Sequence, residues 1–441
     1  MRVRFWGTRG SIATPGPGTT HFGGNTSCVE VRTAAGGLII LDLGTGARLL
    51  GAELMRGPRP IRGSILIGHT HWDHIQGFPF FVPLFVPGNE FTVYAPKGAQ
   101  RSLHEVLAGQ MEFTYFPVEL TQLPAGIAYQ DLAEGAHAIA GARVVAKYLH
   151  HPAMTLGYRV EADGAAVVYL TDHEPYADAR WRHDAAPGRL ASILHDGDRR
   201  HAEFMTGADL VIHDAQYTPE EAVGKKTWGH STYEYVVELA LAAGARRLAL
   251  THHDPTHDDA AVAEIERRAR DLVKARGGAL DVFCAYEGWD AELAATGAAR
   301  PLAWEAVSGA ESAAVRSLRI LVVDDDPDLR ALVKVALRRD GHALVEVGSG
   351  EEALRAVGEA VPDVVLLDLD MPGMSGLDVL RALRALPPTR TLPVLILTSH
   401  ADEESTRAGF DLGATDYLTK PFTLPQLAAR VRACVARAAH A

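Results

Sequence analysis

Cysteine is nearly absent from this chain of 441 residues: Cys28, Cys284 and Cys434 stand far apart and are odd in number. That excludes a disulfide framework and a cysteine zinc cluster, and it fits a reducing compartment. An apolar leader is lacking too, because Met1-Arg2-Val3-Arg4-Phe5-Trp6 is followed at once by Gly7, Arg9, Gly10 and Ser11, so no secretory signal is expected. No later run approaches the roughly 20 apolar residues of a membrane span. The expectation is a cytoplasmic protein with no membrane partner. Positive charge is short as well. A formal net charge of -12 argues against gripping long nucleic acid, which relies on clustered Lys and Arg, although bound divalent metal could still make one pocket cationic. Internal repeats and low-complexity tracts are missing. At 47% hydrophobic, the length accommodates two or three domains with their own cores, with two as the prior.

Histidine is plentiful but lopsided: 17 of the 20 lie before residue 318, which points to metal in the first part only. From residue 3 to about 290, short apolar strands such as Val29-Glu30-Val31, Leu38-Ile39-Ile40-Leu41, Ile65-Leu66-Ile67 and Val167-Val168-Tyr169-Leu170 are closed by Gly or Pro turns. Helical periodicity is clear at Ser231 to Ala243 and at Asp259 to Arg276, each beside a strand. Residues 301–317, rich in Ala, Ser and Glu without an apolar pattern, read as a linker. From Leu318 onward, strands at Ile320 to Val323, Val364 to Leu367 and Val394 to Leu397 alternate with amphipathic helices, predicting a parallel sheet wrapped by helices.

The densest chemistry is His69-Thr70-His71-Trp72-Asp73-His74, directly after the strand ending at Ile67-Gly68. Three imidazoles and a carboxylate leave one strand end together. His69 and His71 could hold one ion while Asp73 and His74 hold a second, and this donor set suits zinc, with manganese and iron as competitors. The stretch matches the His-x-His-x-Asp-His signature of the metallo-β-lactamase superfamily, which the sequence resembles. The resemblance implies an αββα sandwich over residues 1–300. It also implies that His69, His71 and His151 hold the first metal, that Asp73, His74 and His252 hold the second, and that Asp172 bridges them. His150 and His253 are rivals one residue away; family spacing favours His151 and His252 as the ligands and leaves His150 and His253 behind them or at the surface. His173, His183, His195 and His257 are expected to be solvated. By the same resemblance, Asp42 in Leu41-Asp42-Leu43-Gly44 orients a ligand from behind.

Two ions about 3.5 to 4 Å apart lower the pKa of water and clamp an in-line displacement, so the chemistry expected is hydrolysis, with Asp73 counted among its catalytic groups. Ile212-His213-Asp214-Ala215 followed by Gly229-His230-Ser231-Thr232 resembles the branch of tRNase Z and cyclic phosphodiesterases. By that likeness His230 is the general acid and Asp214 orients it; the plain alternative makes His230 the neighbour of a helix N-cap at Ser231. Only Pro152 to Thr171 separate the third ligand from the bridging aspartate, leaving no room for a basic arm that would bind transfer RNA. A small, cyclic-nucleotide-like diester fits better. Arg9 or Asn25 could touch phosphate, although a plain turn is the favoured reading. The segment from Glu174 to Thr206 looks like an insertion serving as a lid or as the contact of a homodimer.

Residues 318–437 resemble the receiver domain of response regulators, a flavodoxin-like doubly wound (βα)5 fold: Asp324 and Asp325 end the first strand, Asp368 the third and Thr398 the fourth, and Lys420 precedes Pro421. Carboxylates at strand C-termini are where such sheets place their sites. Three of them repel unless a hard cation lies among them, so Asp324, Asp325 and Asp368 are expected to bind Mg²⁺. The resemblance makes Asp368 the phosphoacceptor for a sensor histidine kinase, with Lys420, Thr398 and Tyr417 as switch residues. The whole then reads as a phosphodiesterase regulated by phosphorylation. A β-lactamase, lactonase or thioesterase on the same metals, and a non-catalytic ligand-sensing module, are the alternatives.

Overall fold

The computed structural model describes residues 1–96, 101–176, 189–193, 195–293, 317–339, 341–398 and 412–420, together with 422, 424, 427, 428, 430, 431, 434 and 435. The chain divides into two compact units, Met1–Val307 and Ser308–Ala441. The expected linker lies, apart from Ser317, outside the described residues.

In the first unit, β1 (Arg2–Gly7), β2 (Cys28–Arg32), β3 (Leu38–Leu41), β4 (Arg62–Leu66), β5 (Glu90–Pro96) and β6 (Gly126–Leu132) lie side by side in one sheet. A second sheet holds β7 (Gly135–Ile139), β8 (Ala142–Tyr148), β9 (Leu156–Ala162), β10 (Ala165–Leu170), β11 (Leu210–Asp214), β12 (Arg247–Thr251) and β13 (Asp281–Cys284). The chain then returns to the first sheet, where β14 (Asp290–Glu292) pairs antiparallel with β1. Strands β3 to β6 run parallel, as do β10 to β13.

Period-two alternation sorts the strand side chains into layers. Val29, Val31, Ile39 and Leu41 of the first sheet pack against Val160, Val167, Tyr169 and Ile212 of the second. Their neighbours Ile40, Ile65 and Val93 face Leu50 and Leu107 of the helices Ala47–Leu54 and Leu103–Gln110. On the far side Val168, Val211 and Leu250 meet Met205, Val236 and Ile265 of the helices Asp196–Met205, Tyr233–Ala242 and Asp259–Ala275. The result is an αββα sandwich. With both faces of each sheet covered, the central strands are continuous apolar runs.

Local chemistry sets the ends. The helix expected to begin behind Ser231 begins at Tyr233, because Thr232 is the cap and accepts the Tyr235 N–H through its hydroxyl. Ser231 is drawn off instead, its hydroxyl donating to the carbonyl of His173. Part of the expected insertion is core: Ala202, Phe204 and Met205 are fully buried, while residues 177–188 and 194, His183 among them, lie outside the described residues.

In the second unit, β15 (Arg319–Val323), β16 (Ala343–Val347), β17 (Val364–Asp368), β18 (Val394–Thr398) and β19 (Asp416–Thr419) form a parallel sheet in the order β16-β15-β17-β18-β19. This is the flavodoxin-like order. The helices Pro327–Arg339, Gly350–Glu359 and Gly376–Ala385 lie between the strands in the chain.

Arg159 of β9 is fully buried. Its guanidinium donates to Glu161 at 2.7 Å and to the carbonyls of Phe204 and Thr206 at 3.1 and 3.0 Å, closing the C-terminus of the helix Asp196–Met205. Arg159→Leu removes donors from buried acceptors and is expected to cost about 2–4 kcal/mol. Urea denaturation followed on the first unit checks this, and a midpoint equal to the wild type would show the guanidinium dispensable.

Candidate metal centre and receiver site

Six strand ends deliver the centre. Asp42 follows β3, the His69–His74 loop follows β4, His151 lies between β8 and β9, and Asp172, Asp214 and His252 end or follow β10, β11 and β12. Three of these residues adopt left-handed backbone: φ is 60° at Asp42, 62° at Asp172 and 60° at His252. Such conformations cost roughly 1–3 kcal/mol each and persist where the surroundings hold them, most often at functional sites. Space is tight as well, since a Cβ on Gly10 would stand 2.2 Å from the His252 ring.

The seven expected ligands come together. The ligand atoms of His69, His71 and His151 lie within 4.8 Å of one another, and so do those of Asp73, His74 and His252. Asp172 faces both groups, with His74 Nε2 3.0 Å from Oδ2, and His252, His69 and His151 Nε2 3.5, 4.0 and 4.0 Å from Oδ1.

Behind them, hydrogen bonds fix the rings. Asp42 accepts from the Gly68 N–H and the Tyr169 hydroxyl and pairs with His74 Nδ1, each at 2.7 Å, which turns His74 Nε2 inward. His151 Nδ1 donates to the Gly229 carbonyl at 3.0 Å and His252 Nδ1 to the Gln216 amide oxygen at 2.9 Å. Asp73 accepts the Ser11 N–H at 2.8 Å.

Electrostatics divide the centre. Burial holds the His69 and His71 imidazoles below their ordinary range, and it pushes His151 down to about 3 against the pull of Asp172. These rings are neutral, the form in which imidazole binds metal. Burial also opposes charge on His74 and His252, but carboxylates override it: Asp73, Asp172 and Asp42 raise His74, while Asp172 and Asp73 lift His252 to about 9. Burial resists ionisation of Asp73 and Asp172 too, yet the surrounding imidazoles hold both below the usual carboxylate range.

Residual valence agrees. Both ring nitrogens of His69, His74 Nε2 and Asp172 Oδ2 are buried without a hydrogen-bond partner. The last two are 3.0 Å apart yet misaligned for a hydrogen bond, as expected of atoms aimed at a common third body. Imidazole and carboxylate donors so arranged fit divalent zinc, manganese or iron.

His230 Nδ1 stands 2.9 Å from Asp214 Oδ2 and 3.8 Å from Asp172 Oδ1, and its ring stacks on His252 with centroids 4.9 Å apart. Asp214 is buried and also accepts the N–H groups of Gln216 and His173. The two residues expected to act together are therefore in contact.

Other expectations need correction. His173 and His257 are buried, not solvated: His173 stacks on His201 at 3.6 Å and lies 3.1 Å from the Tyr235 hydroxyl, and His257 pairs with Glu221 at 2.7 Å. His195 is half-buried and caps the helix Asp196–Met205. Of the two places expected for His150 and His253, the surface is excluded: both are inside and held by the carbonyls of Glu174 and Ala285. Arg9 and Asn25 follow the favoured reading and serve the turn: Arg9 donates to the carbonyls of Gly23, Asp254 and His257, and Asn25 binds Glu287. Gln216 and Glu174 escaped notice. Each stands two residues beyond a site aspartate, the one signal the sequence carries for them.

In the second unit, Asp324, Asp325 and Asp368 bring their ligand atoms within 4.8 Å of one another at the ends of β15 and β17. Lys420 Nζ reaches Asp324 at 2.8 Å and Asp368 at 2.9 Å. Burial lifts the Asp324 carboxyl above its ordinary range, Asp368 adds to it, and Lys420 opposes it. Thr398 ends β18 beside Thr419 of β19, its carbonyl accepting the Lys420 N–H at 2.7 Å. Tyr417 lies on β19 with its side chain half-buried.

Asp42→Asn cannot serve one amide, one hydroxyl and one imidazole alike. The expected outcome is a zinc affinity lowered about 10- to 100-fold, read by competition with a chromophoric chelator; unchanged affinity would separate Asp42 from the centre.

Residues 40–253 match the model of the beta-lactamase superfamily domain, and residues 320–432 match that of the response regulator receiver domain. The DNA-binding response regulator MtrA of Mycolicibacterium smegmatis is 47% identical over 119 residues, which is 27% of this chain and 51% of the relative. The chain thus spans about half the length of the curated relatives it matches. A response regulator structure from Chloroflexus aurantiacus is 38% identical, covering 28% of this chain and 100% of that one with a TM-score of 0.27. The metallo-β-lactamase fold protein YhfI of Bacillus subtilis is 15% identical, covering 66% of this chain and 99% of that one with a TM-score of 0.46. The chain thus carries a β-lactamase superfamily domain in its first unit and a response regulator receiver domain in its second.

Proposed function

We propose that the first unit is a metal-dependent hydrolase of small phosphodiesters, regulated through phosphorylation of the second by a sensor histidine kinase. One observation carries the reaction class: the buried Asp214 holds His230 at 2.9 Å on the border of the metal-ligand cluster. His69, His71 and His151 would hold one divalent ion, Asp73, His74 and His252 another, and Asp172 both. Bound there, the pair supplies Lewis acidity and an acidified water. The chain's own residues do the rest. Asp214 accepts from His230 Nδ1 and fixes the ring, so that Nε2 is the atom that delivers a proton to the departing alkoxide. Burial of Asp214 beneath the ring keeps its field concentrated on the imidazole. A thioester, which releases a stable thiolate, gives such a dyad less to do.

For the second unit, Asp324 and Asp325 would hold Mg²⁺ beside Asp368, whose carboxylate takes the phosphoryl group. Lys420 would then exchange its contact with the carboxylate for the new phosphoryl charge, with Thr398 hydrogen-bonding it and Tyr417 responding. Division at residues 1–300, 301–317 and 318–437 fits this reading.

The metal-loaded protein is expected to hydrolyse bis-p-nitrophenyl phosphate and cyclic nucleotides while sparing nitrocefin and a lactone; activity on the last two alone would overturn the assignment. His230→Ala should lower kcat about 10²- to 10³-fold on alkyl-leaving diesters, and far less with p-nitrophenolate, which departs without a proton. Equal losses on both would remove His230 from acid catalysis. Acetyl phosphate should change turnover of the wild type and not of Asp368→Ala; identical rates before and after treatment would dissolve the regulatory link.

A further inference from the structure

Two indoles stand exposed in the segments that carry His71 and His230. Trp72 is 76% exposed and Trp228 60% exposed. Trp72 sits between His71 and Asp73, and Trp228 two residues before His230. Their segments meet at one imidazole: His151 Nε2 lies 3.5 Å from His71 Nδ1, and His151 Nδ1 lies 3.0 Å from the carbonyl oxygen of Gly229. His71 is itself exposed and His230 half-buried, whereas His69, His74, His151 and His252 are buried. This is therefore the side on which the centre meets solvent.

Trp228 is deliberately held. Glu174, only 8% exposed, accepts the Thr227 N–H with one carboxylate oxygen and the Gly229 N–H with the other, each at 2.8 Å, bracketing the tryptophan. Thr227 has φ of 72° and Gly229 of 87°, both left-handed, and a Cβ on Gly229 would stand 2.1 Å from His151 Nδ1. A buried carboxylate and a strained threonine thus fix the base of a side chain whose ring is left in water. A loop that needed only to close would turn its indole inward, where such a ring ordinarily contributes most. Strain retained around one exposed group marks a use for that group.

We propose that Trp72 and Trp228 form a stacking subsite for the nucleobase of the substrate, and that Glu174 is the positioning residue that sets Trp228. The subsite deepens the phosphodiesterase reading and rests on it for the phosphate end. Every nucleobase offers a flat π face to an aromatic side chain, which makes stacking tolerant of base identity. A nucleotide whose phosphate approaches the metal ligands has its base within reach of residues that flank His71 and His230, and these are the two indoles.

Binding, not turnover, tests this. The zinc-loaded full chain is titrated with adenosine monophosphate and with ribose 5-phosphate, which differ by the base alone. The wild type is expected to favour the nucleotide about 10-fold or more. Trp72→Ala and Trp228→Ala should each erase most of that preference without changing zinc content or ribose 5-phosphate affinity, and Trp228→Phe should restore it. Glu174→Gln, which replaces one acceptor oxygen by a donor, should follow Trp228→Ala. Equal wild-type affinity for the two ligands, no measurable binding of either, or full preference in both alanine variants overturns the subsite. A base preference in a protein that cleaves no phosphodiester supports the subsite and sinks the reaction class.

Discussion

Asp42 closes a polar bridge between two sheets whose facing layers are largely apolar. Its carboxylate receives an amide from the loop after β4, an imidazole from the same loop and a hydroxyl from β10 of the opposite sheet. A charged group at zero exposure is costly unless its lone pairs are filled, and here three donors fill them. The same contacts dictate which nitrogen of His74 faces the centre and tie Tyr169, a residue of the apolar layer, to the metal-ligand loop. Register between the sheets and orientation of a ligand are thus decided by one group, and its left-handed backbone is part of the arrangement.

The two units solve the problem of clustered charge differently. In the first, four carboxylates, Asp42, Asp73, Asp172 and Asp214, are offset by imidazoles whose protonation depends on their neighbours. In the second, the ammonium of Lys420 lies directly on Asp324 and Asp368. Nitrogen-rich and oxygen-only donor sets suit different ions, borderline in the one case and hard in the other, so the two sites would not compete for one metal.

Much of this was legible in the sequence because the chemistry is local. Four candidate ligands within six residues at a strand end, and acidic residues closing alternate β-strands, need no tertiary information to stand out. The β-α rhythm after residue 318 and the short hairpin between His151 and Asp172 were readable for the same reason. What escaped depends on packing between segments far apart. His173 looks solvated in its polar sequence surroundings, yet it lies where β10 ends beneath the helix Asp196–Met205 and stacks on His201. Ser231 and Thr232 are equivalent as caps on paper; the carbonyl of His173, 58 residues earlier, takes the serine hydroxyl and leaves the threonine to the helix. Glu174 and Gln216 are ordinary loop residues until the fold brings amides and an imidazole to them.

Strand β14, only three residues long, pairs with β1, and the His252–His253 loop is laced to the opposite end of the unit through Thr8 and Gly10. The beginning and the end of this unit therefore complete each other. During synthesis, β1 emerges first and stays an unpaired edge on that side until residue 290 has been made, and the ligand set is incomplete until His252 has left the ribosome. A nascent fragment can gather His69, His71, Asp73 and His74 early, but it possesses neither a closed sheet nor a finished centre. Assembly of the catalyst is thereby timed to the completion of its own scaffold.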